Sequence, residues 1–245
     1  MSLALLRQQL AAVVAGTPSS TPGLPTGVAP LDAILPGGGL PRGRLTELLA
    51  APGLGKTTLA RSLVAATIRG GGGVAWIDAT RTLDPRDWAA ESSAGQAAGE
   101  RAVMADALWV VRPGEPARGP WCADLLLRTG AFALVVLDGA PVLPRAVAVR
   151  LTQLARESDA ALLLLGEGTR ASEVGGALRV VLTRRGAQVT ATLEKGGPYQ
   201  QVQLEVGRGE RIARRLCTHP EIPDRRGVAG PARRRALGRA AARAR

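Results

Sequence analysis

The chain has 245 residues, 46% hydrophobic and 21% charged, enough for one substantial core and too apolar for a chain disordered throughout. Two cysteines, Cys122 and Cys217, and a single histidine, His219, exclude a disulfide framework and a zinc site and point to a reducing compartment. The net charge of +12 is uneven: residues 207–245 hold twelve arginines against Glu210, Glu221 and Asp224, a net +9, which leaves +3 for everything before them. A uniformly basic body is thereby excluded.

In chain order, Leu3 to Ala15 reads as a short amphipathic helix, and the Pro/Ser/Thr-rich GTPSSTPGLPTG after it as a linker. The apolar segment is broken by Arg7, Gln8 and Gln9, and no run of eighteen apolar residues follows anywhere. Neither a signal peptide nor a membrane span is expected, which suits a cytoplasmic protein. A new unit begins near Thr26. Within it the apolar runs RLTELLA, VAWIDA, ALWVV, FALVVLD and AALLLLG are each short enough for a buried strand, and stretches of helical length such as KTTLARSLVAATIRG and PRAVAVRLTQLARE separate them. With aromatics scarce, Leu, Val and Ala must build the core between helices and a sheet. Alternation of strand and helix predicts an α/β fold with a mostly parallel central sheet and helices on both faces. After Gly175 the closely spaced strands GALRVVLTRRG, AQVTATLEK and YQQVQLEV predict an antiparallel C-terminal edge. The expected organisation is a helix and linker over 1–25, a core domain over 26–206 and a basic tail over 207–245. That tail reads either as an arm that holds phosphate backbones or an acidic protein by charge, or as a solvated, compositionally biased end.

The segment from Ala50 to Thr57 lies between a predicted strand and a predicted helix and ends in Gly55-Lys56-Thr57, the finish of a phosphate-binding loop. Successive backbone N–H groups there are expected to wrap a phosphate at the helix N-terminus, with Gly53, Gly55 and Thr58 among the nucleotide-binding residues. Lys56 reaches terminal phosphates and the Thr57 hydroxyl holds magnesium. Ala50 replaces the usual first glycine without removing a phosphate ligand. Lys56 and Lys195 are the only lysines among 32 basic residues, so a lysine in this loop argues that a compact ammonium is needed. Asp138, at the end of FALVVLD, is placed to order a magnesium-bound water beside Thr57. ATP or ADP with magnesium is the expected cofactor.

GGGLPRGRLTELLAAPGLGKTTLA, then VAWIDATRTLDPRDW, FALVVLDG and GGALRVVLTRRGAQVTATLEKGGPYQQVQLEV, resemble the RecA recombinase core in order and in wording, from about Thr26 to Val206. The resemblance implies a RecA-like P-loop fold with Lys56, Thr57 and Asp138 as nucleotide residues, Asp84 on the adenine side and Trp88 near a stacking position. It also implies that a lysine near Lys195 senses a neighbouring subunit's nucleotide, and that the N-terminal helix packs either on the next subunit or on its own sheet. Departures from the pattern carry as much weight. Where the family has its water-orienting glutamate this chain has Thr80, which cannot accept that proton, and hydrolysis without such a carboxylate is slower by about 10² to 10⁴. Gly166, Glu167 and Gly168 stand where the family places a phosphate-sensing glutamine, leaving Glu167 as the one candidate for a substitute acid. The two DNA-binding loops are short. This pattern of losses resembles the ImuA family, accessory factors of SOS mutagenesis encoded beside ImuB, a Y-family polymerase homologue. The resemblance implies a cytoplasmic, non-hydrolysing accessory protein in DNA-damage-induced translesion synthesis, with no catalytic residue, RecA and ImuB as partners, and weak DNA binding through the arginine tail. The alternative is a DNA-stimulated ATPase of the recombinase family.

Overall fold

The computed structural model describes residues 21–84, 107–139, 141–168, 177–186, 188–196 and 199–204. The predicted helix Leu3 to Ala15, Trp88 and the tail from Gly207 lie outside the described residues.

Eight strands form one sheet in the order β3-β2-β4-β5-β1-β6-β7-β8. They are β1 (Arg44–Ala50), β2 (Val74–Asp78), β3 (Leu108–Val111), β4 (Leu134–Asp138), β5 (Ala161–Glu167), β6 (Leu178–Arg185), β7 (Gln188–Lys195) and β8 (Gln200–Leu204). The first five pair in parallel, β6 joins β1 in parallel, and β6, β7 and β8 run antiparallel. The expected α/β architecture with its antiparallel edge is therefore present. Parallel strands must be covered on both faces, and β2 and β4 are accordingly continuous apolar runs, fully buried up to Asp138.

Helix α1 (Ala29–Ile34) opens with Pro30, and α2 (Lys56–Arg69) buries Leu59, Leu63, Val64 and Ile68 on one face of the sheet. That cluster includes Leu48, Trp76, Val136, Leu163, Leu165 and Leu182. Helices α3 (Gly119–Arg128) and α4 (Arg145–Glu157) cover the other face through Ala123, Leu127, Ala148 and Leu151, which meet Leu45, Ile77, Val135 and Leu162. Successive strand residues point to opposite faces, so this division follows from the parity of each position.

One strand departs from expectation. The run ALWVV reads as buried, but β3 is an edge strand whose Trp109 and Val110 are exposed; Trp109 packs edge-on against Phe132, with ring centres 5.7 Å apart. An edge strand has no second neighbour to cover it, and apolarity alone does not distinguish edge from centre.

A charge sits inside the sheet. Glu47 of β1 is fully buried and pairs with Arg179 of β6, its register partner, through Nε at 3.0 Å. A carboxylate at this depth is tolerable only with such a partner.

Candidate nucleotide-binding site

The site grows from the end of β1. Ala50 is buried as the last residue of that strand, paired with Glu167 on one side and Leu182 on the other. The non-glycine residues with positive φ among those described are Arg81 and Asp159, so Ala50 meets no backbone requirement for glycine. Left-handed backbone occurs further on, at Gly53 (φ 77°) and Gly55 (φ 84°), where a Cβ would meet open space but the conformation itself disfavours any side chain. Gly55 is the N-cap of α2 and offers no side-chain cap; the Leu59 N–H makes the first helical bond, to Gly55 O at 2.9 Å. The amides ahead of it, from Lys56 to Thr58, have no partner within the helix, and no acidic residue stands in the first turn. Uncapped donors, a positive dipole end and a lysine together favour an anion.

Lys56 Nζ donates to Gly166 O at 3.1 Å, and the Gly168 N–H donates to Ala50 O at 3.2 Å, so the end of β5 is fastened to the loop at two points. Thr57 and Thr58 are exposed on the first turn. Asp138 ends β4, half-buried on the same face as α2. Burial pushes its carboxyl up, Lys56 opposes that, and Asp78 and Glu167 push it further. Lys56, Asp138 and Glu167 thus share one electrostatic neighbourhood. Among the described residues no three His, Cys, Asp or Glu side chains gather closely enough to hold a metal ion. A magnesium ion at Thr57 and Asp138 would therefore complete its oxygen shell with phosphate and water, which is how that ion is commonly held. The loop, its lysine and its free amides fit a nucleotide polyphosphate.

Thr80 stands directly beside this group. A Cβ placed on Gly139 would lie 2.5 Å from Thr80 Cγ2, so the residue after Asp138 must be glycine for Thr80 to occupy its place. The Thr80 hydroxyl lies 3.1 Å from that of Thr82 and is exposed. Asp84 is exposed at the end of the described part of the same loop, which follows β2, beyond β4 from the phosphate loop. Lys195 ends β7 opposite Arg179, which pairs with the middle of β1 and not with its phosphate-loop end.

Sequence reasoning missed what holds the Thr80 loop. Asp78 is fully buried and accepts the N–H groups of Thr82 (2.9 Å) and Leu83 (3.1 Å) and Nε of Arg112 (3.0 Å); Arg112 also donates to Leu83 O. Asp78 is therefore a structural anchor and not a reacting group. No signal in the sequence pointed to it, because Arg112 lies 34 residues from Asp78 and meets it only across the β2–β3 pairing.

With this geometry in view, the likeness to known proteins becomes specific. Over 124 residues, half of this chain, it is 40% identical to protein RecA of Kineococcus radiotolerans and 41% identical to the RecA proteins of Nocardioides sp. and Amycolatopsis mediterranei. The chain covers about a third of the length of each of these relatives, 33%. The family model described as the RecA N-terminal domain matches residues 12–153, more than half of the sequence, and it spans the phosphate loop, Thr80 and Asp138. The chain belongs to the RecA N-terminal domain family.

Proposed function

We propose that this RecA-like chain is an accessory protein of SOS, DNA-damage-induced translesion synthesis and mutagenesis, of the ImuA kind. In this reading it binds ATP or ADP with magnesium without turning it over, and acts through contacts with RecA and an ImuB-type Y-family polymerase homologue. The observation that carries the reading is Thr80. It occupies the place beside Asp138 where the resemblance calls for a water-orienting glutamate, and it is a hydroxyl set against another hydroxyl, with no basic partner among the described residues. Such a group cannot draw a proton from water at neutral pH. A binding module needs apolar surface more than it needs a base. Trp109 is 58% exposed and Trp121 61%, with Leu125 and Val149 about half exposed; tryptophan is among the residues that most often anchor protein interfaces.

Residues Gly53, Gly55, Lys56, Thr57 and Thr58 would hold the phosphates, Thr57 and Asp138 the metal ion, and Asp84 the adenine side. The body over 26–206 would carry the contact with RecA, and the tail over 207–245 a salt-sensitive contact with DNA. One observation favours the second reading, a DNA-stimulated ATPase: the phosphate loop keeps its left-handed glycines, free amides and lysine. Phosphate release in the presence of single-stranded DNA separates the two. The accessory reading expects background turnover, and a DNA-dependent rate far above background would replace it with the ATPase. Nucleotide binding itself is tested by thermal stabilisation, expected to reach about 2.7 kcal/mol at a hundred times the dissociation constant and to vanish in Lys56→Ala. No shift in the unmutated protein would show that the loop has outlived its ligand.

A further inference from the structure

Three carboxylates share one face at the C-terminal ends of neighbouring parallel strands. Parity along β2, β4 and β5 sets Asp78, Asp138 and Glu167 on the side of Trp76, Val136 and Leu165, the side packed by α2. Asp78 is consumed by the Thr82 and Leu83 amides and Arg112. Asp138 is half-buried and has the metal role given above. Glu167 differs from both: it is exposed, and its strand is the one bound to the phosphate loop. Its register partner is Ala50, the residue before it accepts the hydrogen bond of Lys56 Nζ, and the residue after it donates to Ala50 O. Glu167 is therefore flanked by both fastenings between β5 and the loop.

This location has a direct electrostatic meaning. The loop amides and the helix dipole serve the inner phosphates, and the lysine serves the β- and γ-phosphates. Lys56 Nζ reaches the carbonyl next to Glu167, so a γ-phosphate, extending past the β-phosphate that both nucleotides bring to the loop, comes beside the Glu167 carboxylate. One ammonium then faces a terminal phosphate, Asp138 and Glu167 together. Like charges a few ångströms apart, in a setting between bulk water and protein surface, oppose each other enough to change affinity by about tenfold.

We infer that Glu167 is a specificity-determining residue of this cradle, which makes the site select nucleoside diphosphates over triphosphates. The inference rests on the phosphate-binding reading proposed above and goes further, because a neutral side chain at position 167 would leave triphosphates the extra contact with Lys56.

The test is calorimetric titration of the full chain with ADP and with ATP, each with magnesium, for the unmutated protein, Glu167→Gln and Glu167→Lys. ADP is expected to bind the unmutated protein about tenfold more tightly than ATP. Glu167→Gln should raise ATP affinity by about that factor and change ADP affinity less than twofold, and Glu167→Lys should reverse the preference. Equal affinities in the unmutated protein, or a substitution that moves both nucleotides alike, would overturn the selection while leaving phosphate binding standing. Folded protein and folded variants that bind neither nucleotide would overturn both.

Discussion

The Asp138 carboxyl is held above the ordinary aspartate range chiefly by burial, with Asp78 and Glu167 adding to the effect and Lys56 and the Gly139 backbone N–H working against it. The folded chain therefore binds this proton more tightly than the unfolded chain does. Its contribution to stability is fully present below the ordinary aspartate value and is lost as pH rises through the raised one. Asp138→Asn should accordingly be more stable than the parent at neutral pH, with the difference closing as pH falls, read from thermal melts along a pH series. It should also lose magnesium-dependent nucleotide binding. Thr80 gives a complementary expectation: Thr80→Glu places a carboxylate beside Gly139, and magnesium-dependent ATP turnover, followed by phosphate release, should rise by about 10². At this scale the sequence was partly legible. That Ala50 needs no glycine could be read from the loop pattern, whereas the left-handed backbone at Gly53 and Gly55 shows only in the folded loop. The anchoring of Asp78 could not be read either, because its cationic partner Arg112 lies 34 residues away and meets it only once β2 and β3 pair.

Strands were easier to read than helices, and the reason is burial. The parallel strands are covered on both faces and write themselves as unbroken apolar runs, whereas β3, with the same composition, finishes an edge. The six-residue α1 is too short to show a period. Helix α3 hides its own period: Cys122, Ala123 and Leu127 are buried, but Trp121 and Leu125 are large, apolar and outward, so the sequence GPWCADLLLR lacks a clean polar face. That outward pair is where protein contact is expected. Trp121→Asp combined with Leu125→Asp should change stability by less than about 1 kcal/mol, since exposed positions contribute little. The same change should weaken binding to purified RecA or to the ImuB-type partner at least tenfold if either contact uses α3, as an anchoring tryptophan does. Titration of each partner against parent and variant reads the result. Asp124, between Trp121 and Leu125 in sequence, accepts hydrogen bonds from Arg150 of α4 and from Arg128 of its own helix, which hold its carboxyl below the usual range; the Arg150 bond ties α3 to α4.

For the whole molecule, charge is unevenly distributed along the sequence. Residues 207–245 hold +9 of the net +12, and the described sheet and helices lie within residues 29–204. The links after β4, Gly139 to Pro144, and after β5, residues 168–177, are short. If DNA is bound, its affinity is expected to lie in the arginines. Truncation before Gly207 should then abolish binding to single strands, and in the full chain log affinity should fall against log salt by about 0.7 per phosphate contact. Tight binding by the truncated protein at physiological salt would move the DNA contact into the body. No helix among the described residues is long and apolar enough to cross a membrane. The overall class, parallel strands followed by an antiparallel edge, was legible because each change of topology leaves a change of spacing; the order of strands was not, since it is fixed by long-range pairing. One such pairing has a meaning for how the two parts of the sheet are phased. Glu47 and Arg179 meet across β1 and β6, the seam where parallel topology gives way to the antiparallel hairpins. A slip of one residue at that seam would turn Arg179 onto the opposite face, among Leu182, Val189 and Leu193, and leave Glu47 facing an aliphatic neighbour. The pair thus acts as a key in a slot: it favours one alignment of the β6–β8 module against β1 over its one-residue neighbours.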